Sequence, residues 1–180
     1  KWWYYEVSYT LNDRFHTKEP KYAGVYGLYP PPHEEGDPPT KAYMRAWEEK
    51  IVELIDKYNP DLLWFDGALN RKSVFRSALD DFQGYKKSFL AYYYNRGRQW
   101  RREVGVTYKH QDLPVGAGIL DIERGRMEEM SEMVWLTDTS VGRKSWSHIK
   151  DPDYKTTNQL TDVLVDIVSK NGNMLLNVGP

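Results

Sequence analysis

Pro60-Asp61-Leu62-Leu63-Trp64-Phe65-Asp66-Gly67 reads as a buried strand that delivers a carboxylate to its end. Leu62 to Phe65 form a continuous apolar run, the pattern of a parallel strand covered on both faces. Gly67 breaks the run directly after Asp66. An acid at the C-terminal end of such a strand lies where α/β barrels place their chemistry.

Outward from this stretch, strands and helices alternate. Upstream, Thr40 can cap a helix running to about Tyr58, with Ala46, Trp47, Ile51, Leu54, Ile55 and Tyr58 on one apolar face. Asn59-Pro60 stops it. Before it, residues 10–39 read as a long loop rich in Pro, Gly and Tyr, and residues 2–9 as a strand. Downstream the pattern predicts a helix over about 71–87 and a strand at 89–94, then a short helix holding Trp100. Further strands are expected at 104–108, at 116–123 ending in Glu123, and at 133–137. Tyr154 to Lys170 should be a helix with Leu160, Val163, Leu164, Ile167 and Val168 inward, and 174–178 the last strand. This alternation implies a parallel sheet wrapped by helices, an α/β fold.

The 180 residues suffice for one domain with a real core. The net charge of −1, from 25 basic and 26 acidic residues, carries no basic excess that would suggest nucleic acid. Cysteine is absent, which excludes disulfides, thiolate catalysis and Cys-ligated metal. His16, His33, His110 and His148 share no metal-ligand spacing, and no phosphate loop or nucleophile elbow is present, so neither metal nor cofactor is expected. No run approaches the about 18 apolar residues of a membrane span. The 14 Tyr and 7 Trp are unusual: they suit a large core equally well as platforms for the apolar face of a sugar ring. The chain opens on Lys1-Trp2-Trp3-Tyr4-Tyr5 without an initiator Met, and both edges read as cuts through a larger domain.

Two acids stand out by position, Asp66 after one apolar run and Glu123 after another. A strand-end pair is what glycosidases need: one carboxylate attacks or activates water while the other protonates the leaving oxygen. The bland alternative is that an Asp in such a loop merely caps the next helix.

The motifs favour the catalytic reading. The segment 60–67 resembles the nucleophile segment of the α-L-fucosidases of glycoside hydrolase family 29. Tyr94-Asn95-Arg96-Gly97, Gly118 to Gly125, Thr137-Asp138-Thr139-Ser140-Val141-Gly142 with Lys144-Ser145-Trp146, and Asn171 to Pro180 resemble further stretches of that family in the same order. The resemblance spans about residues 40–180. It implies a (β/α)₈ barrel, of which the chain would be the C-terminal part, a single domain lacking the N-terminal strands. It implies Asp66 as nucleophile and Glu123 as general acid and then base; Asp121, Glu103, Glu128 and Glu129 are rivals for that second role. Asp121 lies one pleat further in, where burial should make it structural, and Glu128 and Glu129 belong on a solvated helix. Trp64, Tyr5, Arg96 and Asn177 would contact the sugar, Arg96 from a strand end. Trp135 and Trp146 would wall the pocket or pack in the core. The implied partner is a fucosylated glycan, and the implied compartment secreted, periplasmic or lysosomal. The family's upstream strands, whose His residues grip the sugar, are not in this chain, so the piece alone is expected to be inactive.

The resulting expectation is a retaining exo-glycosidase acting on terminal α-L-fucosides. The alternatives are a non-catalytic sugar-binding barrel, or the same machinery acting on another sugar such as a galactoside; a structural or interaction domain would explain the aromatics but not the ordered motifs.

Overall fold

A computed structural model of the chain describes residues 40–66, 79–110 and 112–179. The opening strand with Tyr5, the Pro-rich loop and the start of the helix expected from about 71 lie outside the described residues. The chain divides into two compact units, Lys1–Val106 and Thr107–Pro180, with the boundary inside a strand.

In the first unit, helix α1 spans Lys41–Tyr58. The Thr40 side chain accepts a hydrogen bond from the Tyr43 N–H at 3.2 Å, satisfying one of the donors a helix start leaves open. Asn59, at φ 46°, ends the helix in the left-handed conformation Asn tolerates. Met44, Ile51 and Ile55 are buried, whereas Leu54 and Tyr58, expected inward, are exposed. The inward stripe is narrower than the apolar pattern suggests, and it tracks the 3.6-residue period. Strand β1, Leu62–Trp64, follows.

Helix α2 runs unbroken from Leu79 to Trp100 and replaces the strand expected at 89–94 and the short helix after it. Aromatic runs such as Phe89 to Tyr94 suit a pleated strand, but a short apolar run does not by itself separate strand from buried helix. Packing decides it here. Lys86, Phe89, Tyr93 and Gly97 are buried while Ala91 and Asn95 are exposed, a helical rather than an alternating pattern. Phe89 meets Trp47 edge-on at 5.5 Å and Phe65 at 5.2 Å, so one aromatic cluster joins α1, α2 and the residue beside Asp66.

The second unit contains a parallel sheet. Strand β2 spans Gly105–Lys109, β3 Ile119–Asp121, β4 Trp135–Ser140 and β5 Gly172–Asn177. Lys109 pairs with Asp121, Asp121 with Leu136, and Ser140 with Asn177. Helix α3, Thr157–Ser169, connects β4 to β5 and starts with a reciprocal cap: the Thr156 side chain accepts from Gln159 N–H, and the Gln159 side chain accepts from Thr156 N–H. Of its expected inward face only Ile167 is buried; Leu164 and Val168 are exposed. Glu128 and Glu129 are exposed as expected, but on an irregular segment rather than a helix.

Candidate active site

Asp66 stands two residues beyond the end of β1 and is half-buried. Its strand is positioned from behind by two contacts. The Tyr93 hydroxyl donates to Pro60 O at 2.9 Å, and Gly105 N–H donates to Asp61 O at 2.9 Å. Trp64, the last residue of β1, is 43% exposed, open enough to meet a ligand.

Arg96 is not at a strand end. It lies in the last turns of α2, paired with Asp56 at 3.1 Å, donating to Gln99 Oε1 at 2.9 Å and stacked on Trp100. Asp56 also accepts from the Tyr92 hydroxyl at 2.7 Å, and that bond, with burial, raises the Tyr92 pKa. The strand-end placement expected for Arg96 is replaced by a helical one. Gly97 in the same motif has a packing role: a Cβ there would stand 2.6 Å from Val104 Cγ2.

In the second unit the strand ends carry charge. Lys109 ends β2, Asp121 ends β3, Glu123 follows two residues later, and Asp138 lies on β4. The buried Lys109 ammonium stands 2.8 Å from Asp138 Oδ1, 3.3 Å from Asp121 Oδ2 and 3.7 Å from Glu123 Oε2. Burial alone would push the Lys109 pKa down. The hydrogen bond to Asp138 and the charges of Asp121 and Asp138 outweigh it and hold the pKa above the usual lysine value. Asp121 is buried in this cluster, the structural place expected for it. Glu123 has 51% of its side chain exposed.

The turn that carries Glu123 is fastened to β4. Ile122 N–H donates to Leu136 O at 2.9 Å and Arg124 N–H to Asp138 O at 2.8 Å. The Thr137 hydroxyl shares its proton between Ile122 O at 2.7 Å and Gly125 O at 2.9 Å. Arg124, in the left-handed region at φ 50°, turns its guanidinium over the Trp146 ring at 4.2 Å and donates to Arg143 O at 2.9 Å. Asn177 Nδ2 donates to Trp146 O. Arg124 therefore ties the turn of Glu123 to Trp146, whose carbonyl Asn177 holds. A shallow depression lies beside this group, lined by Gly142, Lys144, Trp146, His148 and Tyr154 among others; Glu123 is not part of its lining.

Trp135 is not in this neighbourhood. It begins β4, is 1% exposed, donates from Nε1 to Lys170 O at 2.9 Å, and lies so close to Gly172 that a Cβ there would stand 2.5 Å from its ring. Of its two readings, core packing holds. Sequence reasoning passed over Lys109, Arg124 and Asp138. A charged residue ending the β-branched run 104–108 was the available signal for Lys109. Among the described residues no group of His, Asp and Glu is arranged to hold a metal ion, and no helix is long and apolar enough to cross a membrane.

A parallel α/β sheet with acidic groups at its C-terminal strand ends defines the class of enzyme scaffold to which barrel glycosidases belong. The profile of the family described as Alpha-L-fucosidase matches residues 7–180, and the chain belongs to that family. It is 27% identical over 158 residues to the tissue alpha-L-fucosidase of Mus musculus, covering 78% of this chain and 31% of the mouse protein. It is 29% identical over 137 residues to the tissue alpha-L-fucosidase of Bos taurus, covering 73% of this chain and 27% of that protein. The chain thus spans about three tenths of the length of the curated relatives it matches. The solved alpha-fucosidase of Thermotoga maritima superposes with a TM-score of 0.54 at 27% identity, covering 78% of this chain and 29% of that one. Alpha-L-fucosidase isoenzyme 1 from Paenibacillus thiaminolyticus shares the fold at TM-score 0.60 and 24% identity, covering 79% of this chain and 35% of that one.

Proposed function

We propose that the protein hydrolyses terminal α-L-fucosyl residues of oligosaccharides or glycoconjugates with retention of configuration, on a (β/α)₈ barrel of which this chain is part. The family match over residues 7–180 carries this reading. In the first step Asp66 attacks the anomeric carbon while Glu123 protonates the departing glycosidic oxygen, leaving a fucosyl ester on Asp66. In the second, Glu123 takes a proton from water, which attacks the same carbon and frees Asp66. This requires the two carboxyl groups about 5–5.5 Å apart. Trp64 and Trp146 supply exposed aromatic surface for the sugar, and Asn177 acts by holding the Trp146 backbone. The reading includes a secreted, periplasmic or lysosomal compartment, and the relative named for plasma supports the secreted one.

The test uses the intact enzyme. Asp66→Gly is expected to abolish turnover with an unchanged circular dichroism spectrum. Glu123→Ala is expected to lose roughly 10²–10⁴-fold on fucosides with poor leaving groups and far less on activated aryl fucosides, which need little protonation. Azide should accelerate Glu123→Ala and give a fucosyl azide of retained configuration. Equal losses on both substrate types without an azide effect would remove Glu123 from the mechanism, and full activity of Asp66→Gly would end the proposal.

A further inference from the structure

We propose that Lys109 is a positioning residue for Glu123, a fixed cationic anchor that holds the acid–base carboxyl in its working place. The inference rests on the assignment of Glu123 above and adds a residue to that site.

Glu123 sits on a two-residue turn with half its side chain open to solvent. An unpacked glutamate samples several rotamers, and fixing it costs side-chain entropy unless a neighbour holds it. Lys109 can do so because its own ammonium is immobilised. It is 3% exposed, hydrogen-bonded to Asp138 at 2.8 Å and paired with Asp121 at 3.3 Å, and it faces Glu123 Oε2 at 3.7 Å. Both aspartates are themselves buried. Asp138 is the shared support. Its side chain holds the lysine, and its carbonyl accepts from Arg124 N–H at 2.8 Å, which fastens the turn carrying Glu123. Cation and carboxyl are thus referenced to one residue of β4. Buried salt bridges are poor sources of stability, and in some proteins they specify geometry instead.

The test is a double-mutant cycle on the intact enzyme, with activated and poor-leaving-group aryl fucosides as substrates. Lys109→Met should reproduce the Glu123→Ala pattern, losing at least ~10-fold more in kcat/KM on the poor leaving group than on the activated one. In the Glu123→Ala background the same change should cost less than ~2-fold, because the residue acts through Glu123. Lys109→Arg should recover part of the loss. Removing the cation takes one counter-charge away from two buried carboxylates, which can unfold the protein. The pair Lys109→Met with Asp138→Asn, compared with Asp138→Asn alone, reads the same leaving-group difference with only one of the two buried carboxylates, Asp121, losing this cation. A loss equal on both substrates, or one that adds fully to Glu123→Ala, makes the lysine merely structural and overturns the proposal. If Glu123→Ala itself shows no leaving-group dependence, the acid–base assignment fails instead, and a dependence seen for Glu123→Ala but not for Lys109→Met counts against Lys109 alone.

Discussion

Tyr93 shows how a single buried group positions the strand that leads to Asp66. It has no exposed surface, and its hydroxyl donates to Pro60 O, the carbonyl just before β1. Burial, followed by the charge of Asp61 and the neighbouring Tyr94, raises its pKa to about 12. The folded form therefore holds this proton more tightly than the unfolded form, whose tyrosine titrates near 10. Its contribution to stability is fully present below about pH 10 and is lost as pH rises through about 12. Tyr93→Phe should cost about 1 kcal/mol at neutral pH, from the lost bond and the carbonyl left unsatisfied. It should also flatten the fall in stability between pH 10 and 12, and denaturant melts across that range read both effects. Residues carrying the second unit were legible to different degrees. Glu123 and Asp121 stood out as acids closing an apolar run, and the burial of Asp121 followed from its place one pleat further in. Lys109 did not stand out, because a lysine after a strand ordinarily means solvent, and only the two buried carboxylates opposite it make its burial tolerable.

At the scale of elements, α1, β1, α3 and β5 follow their local signals, since caps and breakers act within a few residues. The capping box of α3 is an example. Thr156→Ala should remove about 1 kcal/mol and lower Tm by about 2–4 °C, with near-unchanged activity, measured by differential scanning calorimetry. A Tm within error of wild type would show that packing, not the cap, sets where α3 begins. Helix α2 is where local signals failed. Its aromatic run has strand propensity but is buried with a helical period, and Trp47 and Phe65 reach Phe89 from elsewhere in the chain. The consequence reaches the site, because the change from strand to helix is what moves Arg96 from a strand end into an ion pair with Asp56.

At the scale of the whole molecule, the proposal makes a geometric demand on the intact enzyme. A crystal structure with a fucose analogue bound should bring the Asp66 and Glu123 carboxyls to about 5–5.5 Å. A separation beyond about 10 Å would exclude the paired roles, since even inverting pairs stay within about 9.5 Å. The sequence alone determined the alternation of strands and helices, the parallel α/β class, the placement of Asp66 and Glu123 after apolar strands, and the motifs in family order. All of these are written in short-range patterns of period, breaker and residue type. Tertiary structure alone decided that 79–100 is one helix, that Trp135 is core while Trp146 lies under Arg124, and that Lys109 is buried among acids. Each of those outcomes depends on which distant residues share a contact, and burial and charge pairing are properties of that contact rather than of the local chain.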